Sequence, residues 1–460
     1  MVFSNNLLMG AGGQATGYEI EQSIRFNDDD SARLARDGFG QSPTSSTVCT
    51  ISVWVKRGNN LGSNSTIIYG GDPSGSTAES LRFGTGNQLQ FSQASSDYDL
   101  KTSQIFVDPA AWYHIVAVLN TGAAESSRAA LYVNGSQITD FATENYPGSS
   151  YSTNFTANSS SVEHVIGSNA SGGSASQFFD GYIAEFNFID GQALTPASFG
   201  ETNSTTGQWV PKAYSGSYGN NGFFIDGRDS SDLGDDESGN GNDLTASGLT
   251  SADQVSDSPT NNFCVLSPID EFGGGLTLSD GNLRAVPSAS TYCNNHGTFY
   301  INSGKWVFEC KHTTVFGEAC GWSPPQELIS GSSDRGYFMM ADGRAYDNTT
   351  NTGTKGASLA SGDFRYVFYD ADAQAMWFAH VDVSSSNALV YDNSATKAEI
   401  EAGTTTNAVF TSIPAGLWAP GIWMDTSGVI EVNFGQSSFA TTSDLPSGFN
   451  TLKAANLPGS

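Results

Sequence analysis

Positive charge is scarce in this chain. Its 460 residues carry 19 Lys and Arg against 47 Asp and Glu, a formal net charge of −28. A nucleic-acid binder needs cations to neutralise phosphates, so the balance argues against that class. It argues equally against a polybasic membrane-surface protein. No apolar run approaches the roughly 18 residues of a membrane span, so no membrane insertion is expected. The first ten residues place no basic side chain ahead of their short apolar stretch, unlike a secretory signal peptide. Five cysteines, Cys49, Cys264, Cys293, Cys310 and Cys320, are odd in number and form no CxxC pair. At least one is therefore free or pairs outside the chain, and no disulfide framework is read. Helical periodicity is also missing, since candidates such as 397–401 are too brief to matter.

Aromatics, glycine and small polar residues are plentiful, with 28 Phe, 17 Tyr, 8 Trp and 52 Gly. Such a chain can bury real cores, and it predicts many short strands joined by turns. Residues 50–56 put Ile51, Val53 and Val55 on one face. Residues 112–119 are apolar on both faces, as in a strand buried inside a sandwich. The strand at 130–133 runs into Asn134-Gly135, a type I′ hairpin signal, because both central positions need positive φ. The strand 181–190 is closed by Asp190-Gly191. Further along, 304–310 alternates with Trp306, Phe308 and Cys310 on one face, and 363–370 and 375–379 flank a turn at 371–374. The fold class expected is all-β, with antiparallel sandwiches. The divisions read from composition are an N-terminal arm at 1–20, a β region at 21–212, a Gly/Asp/Asn-rich connecting segment at 213–262 and a second β region at 263–460.

The ordered motifs of the first region carry a resemblance. Ile24-Arg25-Phe26, Val53-Trp54-Val55-Lys56-Arg57, Trp112-Tyr113-His114, Leu131-Tyr132-Val133-Asn134-Gly135, Val165-Ile166-Gly167 and Phe179-Asp180-Gly181-Tyr182 follow one another. In that order they resemble the concanavalin A-like, laminin G-like sandwich, a jelly roll. The segments 191–201, 236–245 and 257–263 are similar to the variant found in structural proteins of marine bacteriophages. The second region, through Trp306, Phe308, Cys320-Gly321-Trp322, Ala375 to Phe378, Trp418, Phe434 and Leu445 to Phe449, resembles a SPRY-like domain. That resemblance implies another antiparallel sandwich, used mainly for protein binding.

Several constellations bear on chemistry. A retaining glucanase on this fold needs two carboxyls about 5 Å apart. The stretch Glu185-Phe-Asn187-Phe-Ile-Asp190 offers one matching carboxylate, Glu185, so no catalytic residue is assigned and the chain is read as a non-enzyme. His114 reads as a hydrogen-bonded core residue. Cys293, His296, Cys310 and His312 are zinc-type ligands at irregular spacing; the competing reading is two buried thiols and two surface imidazoles. Calcium is the ion best suited to the cluster Asp226, Asp229, Asp232, Asp235, Asp236 and Asp243, which is otherwise a solvated acidic loop. The laminin G resemblance adds to the calcium reading, since such domains often bind calcium at a rim. Tyr98, Tyr146, Tyr151, Tyr214 and Tyr218 sit in polar contexts that suit stacking on sugar rings. Phe3, Leu7, Leu8 and Met9 form an apolar cluster on a Gly-rich tether, suited to docking on a partner.

Taken with the resemblances, these features imply a bacteriophage virion structural protein of the tail-fibre, appendage or capsid-decoration kind. Its arm would anchor to capsid, portal or tail proteins, its sandwiches would face a host-surface glycan or protein, and it would be a homo-oligomer. The alternatives are a glycan-hydrolysing depolymerase and a bacterial surface adhesin.

Overall fold

The computed structural model describes residues 17–72, 77–170, 174–272, 275–288, 293–325, 336–385, 388–425, 427–441 and 443–457. It is almost entirely β, with two compact units that divide between Asn261 and Asn262. Phe3, Leu7, Leu8 and Met9 lie outside the described residues.

The first unit is a sandwich of two antiparallel sheets. One runs, edge to edge, through Ser136–Gln137, Ala129–Val133, Trp112–Asn120, Val48–Arg57, Gly181–Asp190, Ser23–Phe26 and Gln254–Val255. The other runs through Phe141–Asn145, Asp99–Ile105, Gln88–Gln93, Glu79–Phe83, Ser65–Gly71, Glu163–Ile166, Arg33–Asp37 and Thr245–Ser247. Side chains alternate across a strand, so Ile51, Val53 and Val55 meet Ile115, Ala117 and Leu119 in the core between the sheets. On the opposite face Val116 and Val118 pack with Ile189 and Phe199. The strand expected to be apolar on both faces is therefore buried on both. Asn134 and Gly135 take φ of 48° and 78° at the expected hairpin.

The segment read as a connector is instead part of this unit. Phe223–Ile225 pairs with Gly181–Asp190, Thr245–Ser247 with Arg33–Asp37, and Gln254–Val255 with Ser23–Phe26. Its polar composition misleads because its carboxylates and amides satisfy the backbone of a tight loop rather than solvate a linker. The end of the expected arm is docked as well. Ile20 is buried, and its backbone N–H donates to Thr260 Oγ1 at 3.1 Å.

The second unit also has two antiparallel sheets. One runs Leu266–Phe272, Cys293–Gly297, Ala419–Met424, Ala319–Ser323, Tyr337–Met340, Arg344–Asp347, Thr350–Thr354. The other runs Leu276–Ser279, Arg284–Pro287, Val429–Asn433, Lys305–Thr314, Phe364–Asp370, Ala375–Val381, Leu389–Tyr391. Trp306, Phe308 and Cys310 are all buried, and Phe364–Asp370 pairs with Ala375–Val381 across the expected turn. The brief helix candidate forms Lys397–Ala402, capped by Thr396 and Glu399 and stopped by Gly403 in the left-handed region.

Candidate functional site

Gly181–Asp190 changes neighbours along its length. Its first part pairs with Ser23–Phe26 through Ile183, and its last part pairs with Phe223–Ile225 from Phe186 onward. Between them the register to Val48–Arg57 slips, and Glu185 takes φ 51°. A bulge re-aims a side chain, and a left-handed non-glycine residue persists only when its surroundings hold it. Glu185 thus sits in a notch between two neighbouring strands. The Tyr18 hydroxyl donates to its Oε1 at 2.7 Å. Burial raises the Glu185 carboxyl to about 7, against the Tyr18 hydrogen bond, with Asp226 adding to the rise and Arg228 opposing it. Asp226 accepts from the Arg228 backbone and pairs with its guanidinium at 3.1 Å, where Arg228 is more than half exposed.

An aromatic ridge adjoins the notch. Phe199 stacks on Tyr214 with ring centroids 5.0 Å apart, and Tyr214 meets Tyr218 edge-on at 5.1 Å. Tyr218 in turn stacks with Phe224 at 6.1 Å. The Tyr218 hydroxyl donates to Asn187 Oδ1 at 3.0 Å. Both tyrosines are half-buried. Rings fixed by their neighbours lose little entropy when a second flat, apolar face stacks on them.

The five tyrosines singled out in the sequence therefore separate. Tyr214 and Tyr218 come together beside Glu185. Tyr98 is fully buried in the core, so its expected place on a sugar-stacking surface is corrected. Its hydroxyl and that of Tyr151 both donate to Glu79 Oε1, at 3.2 and 2.8 Å. Tyr151 is half-buried against the same core, and Tyr146 is half-buried with its hydroxyl on Glu144. Glu79 carries no local sequence signal, because its partners lie about 20 and 70 positions away and meet it only across the folded sheet.

The calcium expectation is also corrected. Among the described residues no group of three His, Cys, Asp or Glu side chains is placed to hold a metal ion. The donor oxygens are spent locally. Asp236 accepts from the backbone of Phe224, Ser238 and Asn242, Asp243 from that of Asp236, Asp229 from Ser231 and Asp232 from Gly234. Asp226 faces Arg228, and Asp235 is half-buried without joining them in a cage. The zinc-type ligands divide too. Cys293 and His296 belong to one sheet of the second unit, and Cys310 and His312 to the other. Both imidazoles are buried rather than at the surface.

His114 is the core residue that was expected. Its Nδ1 accepts from Trp209 Nε1 at 2.9 Å, which leaves Nε2 to donate to Ser52 Oγ at 2.9 Å. Burial lowers its pKa to about 3. Next to it on the same face lies a buried ion pair, Lys56 Nζ to Asp257 Oδ2 at 2.7 Å, with Trp112 Nε1 on the other carboxylate oxygen at 3.0 Å. Asp190, last of the glucanase-like stretch, is buried and accepts from the backbone of Thr44, Ser45 and Asn221.

Comparison with known proteins matches residues 26–200 to the Concanavalin A-like lectin/glucanases superfamily, so the first unit carries a concanavalin A-like domain. No curated protein matches the chain. Among solved structures, the chain is similar to the SPRY domain of human HERC1, at 14% identity over 38% of this chain and 99% of that one, TM-score 0.29. It is similar to the TRIM65 PSpry domain, at 11% identity over 37% of this chain and 92% of that one, TM-score 0.27. It is also similar to a heptameric SAP-like pentraxin from Limulus polyphemus, at 19% identity over 39% of this chain and 80% of that one, TM-score 0.29.

Proposed function

We propose that this chain is a non-enzymatic binding protein of a bacteriophage particle, a tail-fibre, appendage or capsid-decoration component. In this reading the Tyr214–Tyr218 ridge beside Glu185 takes a host-surface glycan, and the second unit serves a protein partner. One observation carries the choice of binding over hydrolysis. Of the three positions in the glucanase-like stretch, Glu185 is engaged by the Tyr18 hydroxyl, Asn187 is neutral and bonded to Tyr218, and Asp190 is committed to three backbone N–H groups. A shallow ridge of aromatic rings beside hydrogen-bonding groups suits a sugar ring, whose apolar face stacks while its hydroxyls find polar partners. The particle assignment is supported by the phage-like segments 191–201, 236–245 and 257–263. The adhesin alternative has no comparable support in these segments.

The depolymerase reading has its own support in the raised carboxyl of Glu185 with Asp226 beside it. Two measurements separate these readings. Host polysaccharide incubated with the protein should be bound without release of reducing ends, and Tyr214→Ala with Tyr218→Ala should weaken binding at least about tenfold, the loss of one to two stacking contacts. Release of reducing sugar that is abolished by Glu185→Gln would establish the depolymerase instead. For the particle, mass spectrometry of purified virions should find this chain, and its absence would overturn the assignment.

A further inference from the structure

The corner between Lys305–Thr314 and Ala319–Ser323 carries the chain from one sheet of the second unit to the other. The two strands therefore face each other across the core, and their inward residues form rungs. Phe308 meets Trp322 edge-on with ring centroids 6.0 Å apart. Nearer the corner, His312 Nδ1 lies 3.0 Å from Glu318 Oε1. Each contact steps two residues inward on one strand and back on the other, so the rung between them is Cys310 opposite Cys320. Both thiols are buried, and both are reduced in this structure.

The same geometry supplies a base. Glu318 Oε2 accepts from the backbone of Phe316 and Gly317, which fixes the carboxylate that holds His312. Burial alone would push the Cys320 thiol up, but the neighbouring Cys310 and the nearby His312 and Arg365 charges hold it below the ordinary range. Burial opposes charge on His312, while Cys320 and Glu318 favour it and raise its pKa. Burial pushes Cys310 up instead. The two thiols are thus chemically unequal, as an attacking and a resolving sulfur must be.

We propose that Cys310 and Cys320 are a peroxide-oxidised pair that closes a disulfide between the two sheets of the second unit. The proton of Cys320 passes to the His312 imidazole, and the thiolate sulfur attacks one oxygen of hydrogen peroxide. The O–O bond breaks, leaving a sulfenic acid on Cys320 and a hydroxide that takes the His312 proton and departs as water. The Cys310 sulfur then displaces the sulfenic hydroxyl. An S–S bond forms, the S–O bond breaks, and the hydroxyl leaves with the Cys310 proton as a second water. Two thiols lose two electrons to one peroxide. A small neutral oxidant reaches the pair by opening of the corner at 315–317, where Phe316 is 60% exposed.

The test uses the full chain, reduced, freed of reductant and treated with hydrogen peroxide while folded. It is then denatured, alkylated with N-ethylmaleimide and mapped by mass spectrometry. Reactive thiols should fall from the five of the sequence to three, with one cross-linked peptide holding Cys310 and Cys320. Unfolding of the second unit should shift upward by about 6–10 °C, reversed by reductant, from closing a short loop. His312→Gln should slow cross-linking at least about tenfold and leave its product unchanged. Five reactive thiols, a link through other cysteines, or sulfinate on Cys320 without a link would each overturn the proposal. The mapping of the unmodified protein decides this even if the variant does not fold, and cross-linking of folded His312→Gln at the original rate would overturn the role of the base.

Discussion

Glu79 offers the sharpest test of how the first unit is held together. Its carboxyl is buried, and the two oxygens have different company. Oε1 meets only hydroxyls, those of Tyr98 and Tyr151. Oε2 accepts from Thr153 Oγ1 and from the backbone N–H of Asn154 and Phe155, at 2.6, 2.6 and 3.2 Å. Backbone donors cannot reverse, but hydroxyls can accept. A protonated Glu79 can therefore carry its proton on Oε1 and satisfy every partner. Burial raises the group from 4.5 to about 7, against the hydrogen bonds of Thr153, Tyr151, Asn154 and Phe155. Between those two values the folded protein holds a proton that the unfolded chain has released, so stability falls as pH rises through the interval. At ~1.4 kcal/mol per pH unit the cost is roughly 3 kcal/mol above pH 7. Glu79→Gln places an amide NH2 where the two tyrosine oxygens can accept and a carbonyl where the three donors point, and it does not titrate. It should match the unmodified protein within about 1 kcal/mol at pH 5 and exceed it by roughly 3 kcal/mol at pH 8, about 6–12 °C in the unfolding midpoint of the first unit. Scanning calorimetry of both proteins across pH 5–8 reads this difference, and titrations common to the two cancel. A Glu79→Gln protein less stable than its parent at pH 8 would refute the reasoning, because the five donors would then be holding an ionised carboxylate. Glu79→Ala, which strands those donors, should cost about 3–5 kcal/mol at pH 5 and roughly 3 kcal/mol less than that at pH 8, because alanine does not titrate while its parent does.

Removing one member of the buried Lys56–Asp257 pair should be as severe: Asp257→Ala leaves Lys56 charged and Trp112 without its acceptor, for a loss of about 3–5 kcal/mol in denaturant unfolding. His114 works opposite in sign to Glu79. Its folded pKa of about 3 lies below the ordinary 6.5, so the unfolded chain takes up the proton first and stability drops as pH falls through that interval. His114→Gln should flatten the acid limb of the stability profile, and an unchanged acid limb would show that His114 does not control it. The acidic loop around Asp236 should be indifferent to calcium, with equal unfolding midpoints in calcium and in chelator at matched ionic strength; a rise of several degrees in calcium would restore a site there.

The sequence by itself determined the secondary structure and its class. Alternation at Ile51, Val53 and Val55, apolar runs such as 112–119 and the Asn134-Gly135 turn are local signals, and local periodicity decides which face of a strand is buried. It also identified His114 as a core histidine, because an imidazole inside an apolar strand has few other fates. Tertiary structure decided the rest. Composition made 213–262 look like a linker, yet its short strands complete both sheets of the first unit through partners about 40–230 residues away. Polarity made Tyr98 look exposed, and only the fold brought Glu79 to its hydroxyl. Nothing local joins Tyr18 to Glu185 or sets Cys310 opposite Cys320 between the Phe308 and His312 rungs. Spacing along a chain reports only which face a residue takes. Which residue it meets depends on how strands distant in sequence are ordered within sheets, and that order is fixed when the two layers close on one core.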